Sequence, residues 1–230
     1  MGACIVSGLN NWDRVTRHRA AWEQTLDATA DAETRDEAWR SEFRAFAAQK
    51  ARYQDRCIIL SRGPYSAVSA ADVGLPEDEW LARSLVIRRE HECTHYFTHR
   101  VFGVMRNNVL DELIADFVGI VRAFGRYRAE LALRCLGLEH PDRYRAGGRL
   151  ENYRGTPPVS DADFRVLQRL AVRGVQNLDT VARSCYPFGN LGALTDLASL
   201  GRLTCSLFRL TLEELASDDM PDRIGAAVRG

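Results

Sequence analysis

Two short β-branched runs lie early in the chain, ACIVSG at 3–8 and RCIILSRGPYSAV at 56–68, and each predicts one strand closed by turn residues. Between them, TRDEAWRSEFRAFAAQKARYQ carries Trp39, Phe43, Phe46 and Ala47 at helical spacing, which predicts an amphipathic helix. The polar LDATADAETRD just before it predicts loop or a frayed first turn. GLPEDEW at 74–80 is a helix start: proline suits the first turn, and the three acidic residues after it suit the positive end of the helix dipole. Nothing interrupts that helix before Phe102, and Gly103 is a natural stop.

After the short link VMRNN, the stretch VLDELIADFVGIVRAFGRYRAELALRCLGL predicts a second long helix over about 109–136. Leu113, Phe117, Ile120, Val121 and Phe124 form one apolar stripe on it, so it belongs in the core. EHPDRYRAGGRLENYRGTPPVSD at 139–161 is rich in Gly, Pro and Arg and predicts a long loop of the kind that serves as a lid or binding loop. Further helices are expected on either side of YPFGN, in DADFRVLQRLAVRGVQNLDTVARSC and LGALTDLASLGRLTCSLFRLTLEELA. The pattern has no repeat and no linker-like break. It predicts one mainly α (α+β) domain over 1–230, with a small β element ahead of the 76–102 helix. Its parts are an N-terminal helix with short strands over 1–75, a helix pair over 76–137, a loop over 138–160 and C-terminal helices over 161–230.

Composition narrows the function classes. The 230 residues are 46% hydrophobic and 27% charged with a formal net charge of zero, so no overall field favours nucleic acid or an acidic membrane. Lys50 is the one lysine, and the arginines are scattered along the chain. Six widely spaced cysteines with no C-x-x-C fit reduced thiols in a cytoplasmic protein better than a disulfide framework. The beginning, MGACIVSGLNNWDR, lacks the charge and apolar pattern of a signal peptide, and no run is apolar enough for a membrane span. Walker, G-x-G-x-x-G and G-x-S-x-G motifs are missing.

The candidate chemistry lies in the second half of the 76–102 helix. RREHECTHYFTHR at 88–100 contains H-E-x-x-H as His91, Glu92, Cys93, Thr94 and His95. Residues four apart are neighbours on a helix, so both imidazoles can reach one ion at about 2.0 to 2.1 Å, with Glu92 placed to act as general base. His99 is two turns from His91, roughly 12 Å along the axis, and cannot share that ion with it. Cys93 points away from the His91 and His95 face and reads as a small core residue. A third ligand is expected from DELIAD on the next helix. An antiparallel return brings Glu112 beside the ion, and Asp116 one turn later is placed to accept the free imidazole N–H of a ligand histidine.

H-E-x-x-H followed on a later helix by E-x-x-x-D resembles the gluzincin group of zinc metallopeptidases, the thermolysin-like clan, over residues 88–119. The resemblance implies zinc on His91, His95 and Glu112, Glu92 as base, Asp116 behind a ligand histidine, and a peptide held on an edge strand, for which RCIILSR is the candidate. It also implies a later His or Tyr that polarises the scissile carbonyl. His140, Tyr144 and Tyr153 are the candidates, and His99 is a further candidate substrate contact. The expected activity is a zinc-dependent hydrolase that cleaves an amide or peptide bond. Two alternatives stand beside it: a helical lyase, isomerase or oxidative enzyme using iron, manganese or zinc on a small molecule, and a protein whose metal is purely structural.

Overall fold

The computed structural model describes residues 4–26, 31–104, 106, 108–140, 143–185 and 196–229. The protein is mainly α-helical with one small two-stranded antiparallel sheet. Where the sequence pattern expects one domain with its first internal boundary at 75, the chain forms two compact units, Cys4–Ile59 and the rest from Leu60 onward.

In the smaller unit, β1 (Cys4–Asn10) pairs antiparallel with β2 (Gln54–Ile59), and the register shifts between Ser7 and Leu9. Gly8 sits at that bulge with φ 103°, a conformation that costs glycine little and other residues much. Two helices lie between the strands. The first, α1 (Trp12–Glu23), has no buried residue and a weak apolar pattern, so periodicity does not announce it. Its start is set by Asn11, whose side chain accepts the Arg14 N–H. The second, α2 (Ala32–Ala47), begins inside the stretch expected to be loop, because Asp31 caps it by accepting the Thr34 N–H. Trp39 packs 5.2 Å from Trp22, and Phe46 stacks at 4.0 Å on His18. The second strand stops at Ile59, short of the expected 68. Pro64 has no N–H for a ladder, and residues Tyr65–Ala67 turn into a 3₁₀ helix.

The larger unit holds the short helix α3 (Ala70–Val73) and then α4 (Glu77–Phe102), which runs as the sequence predicts from Pro76 to a left-handed Gly103. Asn108 caps α5 (Val109–Phe124), every residue of which is buried from Val109 to Val121. A helix apolar nearly all round can only sit at the centre of the core, and α5 packs against α4, α7 (Asp161–Cys185) and α8 (Leu197–Phe208). The expected single helix over 109–136 is in fact two. Gly125 adopts φ 72° and donates its N–H to Val121 O, so the chain breaks there and restarts as α6 (Ala129–Leu136), although the apolar period continues across the break. The region from 197 onward also divides, into α8, α9 (Leu212–Leu215) and α10 (Met220–Arg229). YPFGN and 191–195 lie outside the described residues.

The α4 and α5 axes approach closely at one point. A Cβ on Gly119 would sit 2.8 Å from the Ile87 carbonyl oxygen and 3.0 Å from its Cγ2. That contact lies one to two turns from the candidate site residues of both helices, so it governs how near their side chains can meet. No described helix is long and apolar enough to cross a membrane.

Candidate metal centre

The antiparallel return of α5 along α4 places Glu112 and Asp116 against His95 and His91. His91 Nε2 and His95 Nε2 lie 3.1 Å apart. Glu112 stands 3.5 Å from His91 Nε2 through Oε2 and 3.3 Å from His95 Nε2 through Oε1. Ligands on a tetrahedral ion at about 2.0 to 2.1 Å are separated by roughly 3.3 Å, so these spacings suit the edges of one coordination face. Among the described residues this trio is the one group of His, Cys, Asp and Glu whose donor atoms converge tightly enough to hold a cation.

All three side chains are buried, and their electrostatics favour positive charge at the point of convergence. Burial would push the His95 imidazole down, yet its hydrogen bond and charge interaction with Glu112 lift its pKa above the ordinary value. Burial would push Glu112 up, and the His95 hydrogen bond together with the charges of His91 and Arg149 holds it below the usual carboxylate range. Glu92 is half-buried on the same helix, and burial raises its pKa against the partial opposition of His91 and His95.

Behind the trio lies a second set of groups, two of which the sequence reading did not anticipate. Asp116 is completely buried and accepts from His91 Nδ1 at 2.9 Å and from the Tyr65 hydroxyl at 2.6 Å, both on Oδ1. Its Oδ2 pairs with the Arg149 guanidinium, which also donates to the Tyr65 oxygen at 2.7 Å. Burial alone would raise the Asp116 carboxyl; the Arg149 charge, the His91 contact and the Tyr65 hydroxyl hold it far below the ordinary range. Tyr65 belongs to the segment expected to be strand, and Arg149 to the loop expected to be a lid. Proximity of an arginine-rich loop was the available signal for Arg149. Tyr65 carries no motif.

The Tyr65 segment is fastened to α4 at two points. Ser84 Oγ accepts the Tyr65 N–H at 3.0 Å, and buried Arg88 donates to the carbonyls of Ser61, Gly63 and Pro64. Ser66 and Ala67 then hold positive φ of 50° and 56°, strained values for residues with a Cβ, immediately after the tyrosine that reaches the site.

The remaining candidates separate. Burial and the nearby negative charge of Glu112 push the Tyr153 hydroxyl well above the ordinary tyrosine value. Tyr153 also lines a cleft of about 540 Å³ with Arg106, Asn108, Asn152 and Leu212. Tyr144 is occupied within the loop: its hydroxyl donates to Gly148 O at 2.6 Å and accepts the Glu151 N–H. His140 is exposed and bridges to Arg143 through the backbone. His99 is partly buried and stands outside the converging trio, as helix geometry requires. Cys93 is exposed, which corrects its reading as a core residue: it lines a surface pocket with Phe97, Val118 and Leu197.

Over residues 1–219 the chain matches the Family of unknown function (DUF7005). The chain belongs to the DUF7005 family. No curated protein and no solved structure matches it.

Proposed function

We propose that the protein is a metal-dependent hydrolase, akin to the gluzincin metallopeptidases, that cleaves an amide or peptide bond. The observation that carries this reading is the convergence of His91, His95 and Glu112 within hydrogen-bond-like spacings beside the half-buried carboxylate of Glu92. A bound zinc, or iron or manganese in its place, supplies a Lewis acid that polarises a carbonyl and a water. His91, His95 and Glu112 are the residues that would hold that ion. Glu92 takes the proton of the attacking water and returns it to the leaving amine. Tyr153, which interacts electrostatically with Glu112 and lines the adjoining cleft, is the candidate to hydrogen-bond the oxygen on which charge develops, with a peptide or small amide as the substrate of this reading. Cys57, Cys93, Cys135 and Cys205 are free thiols, which suits a reducing, cytoplasmic setting.

The test combines metal analysis with turnover. Purified untagged protein is expected to carry one equivalent of zinc, and His95→Ala to lose it while remaining helical. Glu92→Gln is expected to keep the metal and lose cleavage of a fluorogenic peptide library by about 10²- to 10⁴-fold. Wild-type turnover in Glu92→Gln would remove this mechanism. The sheet of the described residues has only two strands, which favours as a second reading a lyase, isomerase or oxidative enzyme on a small molecule; bound iron with oxygen consumption would select it.

A further inference from the structure

The loop between α6 and α7 sends one arginine into the buried side of the centre. Arg149 leads the 3₁₀ segment Arg149–Tyr153, its side chain is 16% exposed, and its guanidinium spans two partners, donating Nη1 to the Tyr65 oxygen and Nη2 to Asp116 Oδ2. It also lies over the Tyr65 ring, with the guanidinium carbon 5.4 Å from the ring centroid.

These contacts assign the hydrogens shared by Tyr65, Asp116 and His91. Asp116 is an ionised carboxylate and can only accept. The Tyr65 oxygen receives the Arg149 N–H, and its own hydrogen goes to Asp116 Oδ1, the closer of its two possible acceptors at 2.6 Å against 3.0 Å for His91 Nδ1. No donor is then left for the 2.9 Å contact between His91 Nδ1 and Asp116 except the imidazole itself, so His91 carries its hydrogen on Nδ1. In the neutral ring the Nε2 lone pair then points toward His95 and Glu112. Without Arg149 the tyrosine hydrogen is free to rotate toward His91 Nδ1, and the carboxylate loses the cation that holds it in place.

We infer that Arg149 is a positioning residue of the metal centre, acting through Asp116 and Tyr65 to lock His91 in the Nδ1–H tautomer and so making the 143–160 loop part of the centre. This rests on the metal reading for its consequence but not for its geometry, and the experiment separates the two. Full-length wild type, Arg149→Met and Arg149→Lys are ¹⁵N-labelled, and the His91 tautomer is read in metal-free protein by long-range imidazole NMR. The same samples are titrated with Zn²⁺ against a chromophoric chelator.

Wild-type His91 is expected wholly in the Nδ1–H form. Arg149→Met is expected to mix the tautomers and to weaken Zn²⁺ binding by about 10- to 100-fold, the usual scale for removing an outer-shell partner. Arg149→Lys keeps the charge but cannot reach Asp116 and Tyr65 together, so it recovers only part of both readouts. If Arg149→Met fails to fold, the lysine variant decides alone: a mixed tautomer with weaker binding supports the inference. Wild-type tautomer and affinity in the variants overturn it. A wild type that takes up no Zn²⁺ overturns the metal reading and the role in holding metal, while a tautomer shift in the variants would still show the lock.

Discussion

Asp111 and Asp116 share one helix, are both buried, and are pushed in opposite directions. Asp111 has the Arg106 guanidinium 3.2 Å away, which offsets burial only in part, so its pKa rises. Asp116 overcomes deeper burial because a cation, an imidazole N–H and a hydroxyl all point at it, and its pKa falls. A carboxyl whose folded pKa lies below its unfolded value of about 3.9 contributes stability in full above that value and loses it as the pH falls through the depressed one. Asp116→Asn is therefore expected to destabilise at pH 7 by about 3 to 5 kcal/mol, since it leaves Arg149 buried without its counter-charge. It should also flatten acid unfolding below about pH 4, where the wild type is losing this contribution. Asp111→Asn is expected to be near neutral at pH 7. Urea unfolding of both variants between pH 3 and 7 measures the contrast; equal losses would show that burial alone, not the arrangement of partners, sets the two values.

At the scale of elements, the centre depends on two helices lying close. Gly119 faces the Ile87 backbone, where an added methyl group would meet a carbonyl oxygen at 2.8 Å with no flexible side chain to yield. Gly119→Ala is expected to cost about 1 to 3 kcal/mol by overpacking and to move α5 outward, widening the gap between Glu112 and the two imidazoles. The check is a paired measurement of thermal unfolding and Zn²⁺ affinity. Loss of affinity in excess of any change in helicity supports the close approach as the device that sets ligand spacing, and unchanged affinity refutes it. The element boundaries that the sequence reading predicted well are those with local causes: Pro76 and Gly103 bracket α4, and Asn108 opens α5. Those it missed have causes that apolar spacing does not carry. The weakly amphipathic α1 follows a capping asparagine, α2 starts early on Asp31, and Gly125 divides a continuous apolar stripe.

Across the whole molecule, every candidate ligand and its supporting partner lies in the unit from Leu60 onward. A cation bound only by the folded state stabilises it by mass action, about 2.7 kcal/mol at a hundred times the dissociation constant. Stripping metal with a chelator is expected to raise amide exchange in α4, α5 and the 149–153 segment, and to leave Cys4–Ile59 unchanged. Exchange that rises equally in both units would place the stabilising interaction elsewhere.

What the sequence determined by itself is local. H-E-x-x-H on an uninterrupted helix puts His91 and His95 on one face because the helical period is a property of the backbone, and E-x-x-x-D puts Glu112 and Asp116 on one face for the same reason. Even the pairing of the two helices could be read, because the link between them is short. What only the tertiary structure decided is which distant side chains close the centre from behind. Tyr65 and Arg149 come from a 3₁₀ turn and an irregular loop, where no periodicity relates sequence position to direction. They meet Asp116 because a carboxylate buried without partners is costly, and the fold brings its hydrogen-bond donors to it from wherever the chain passes near.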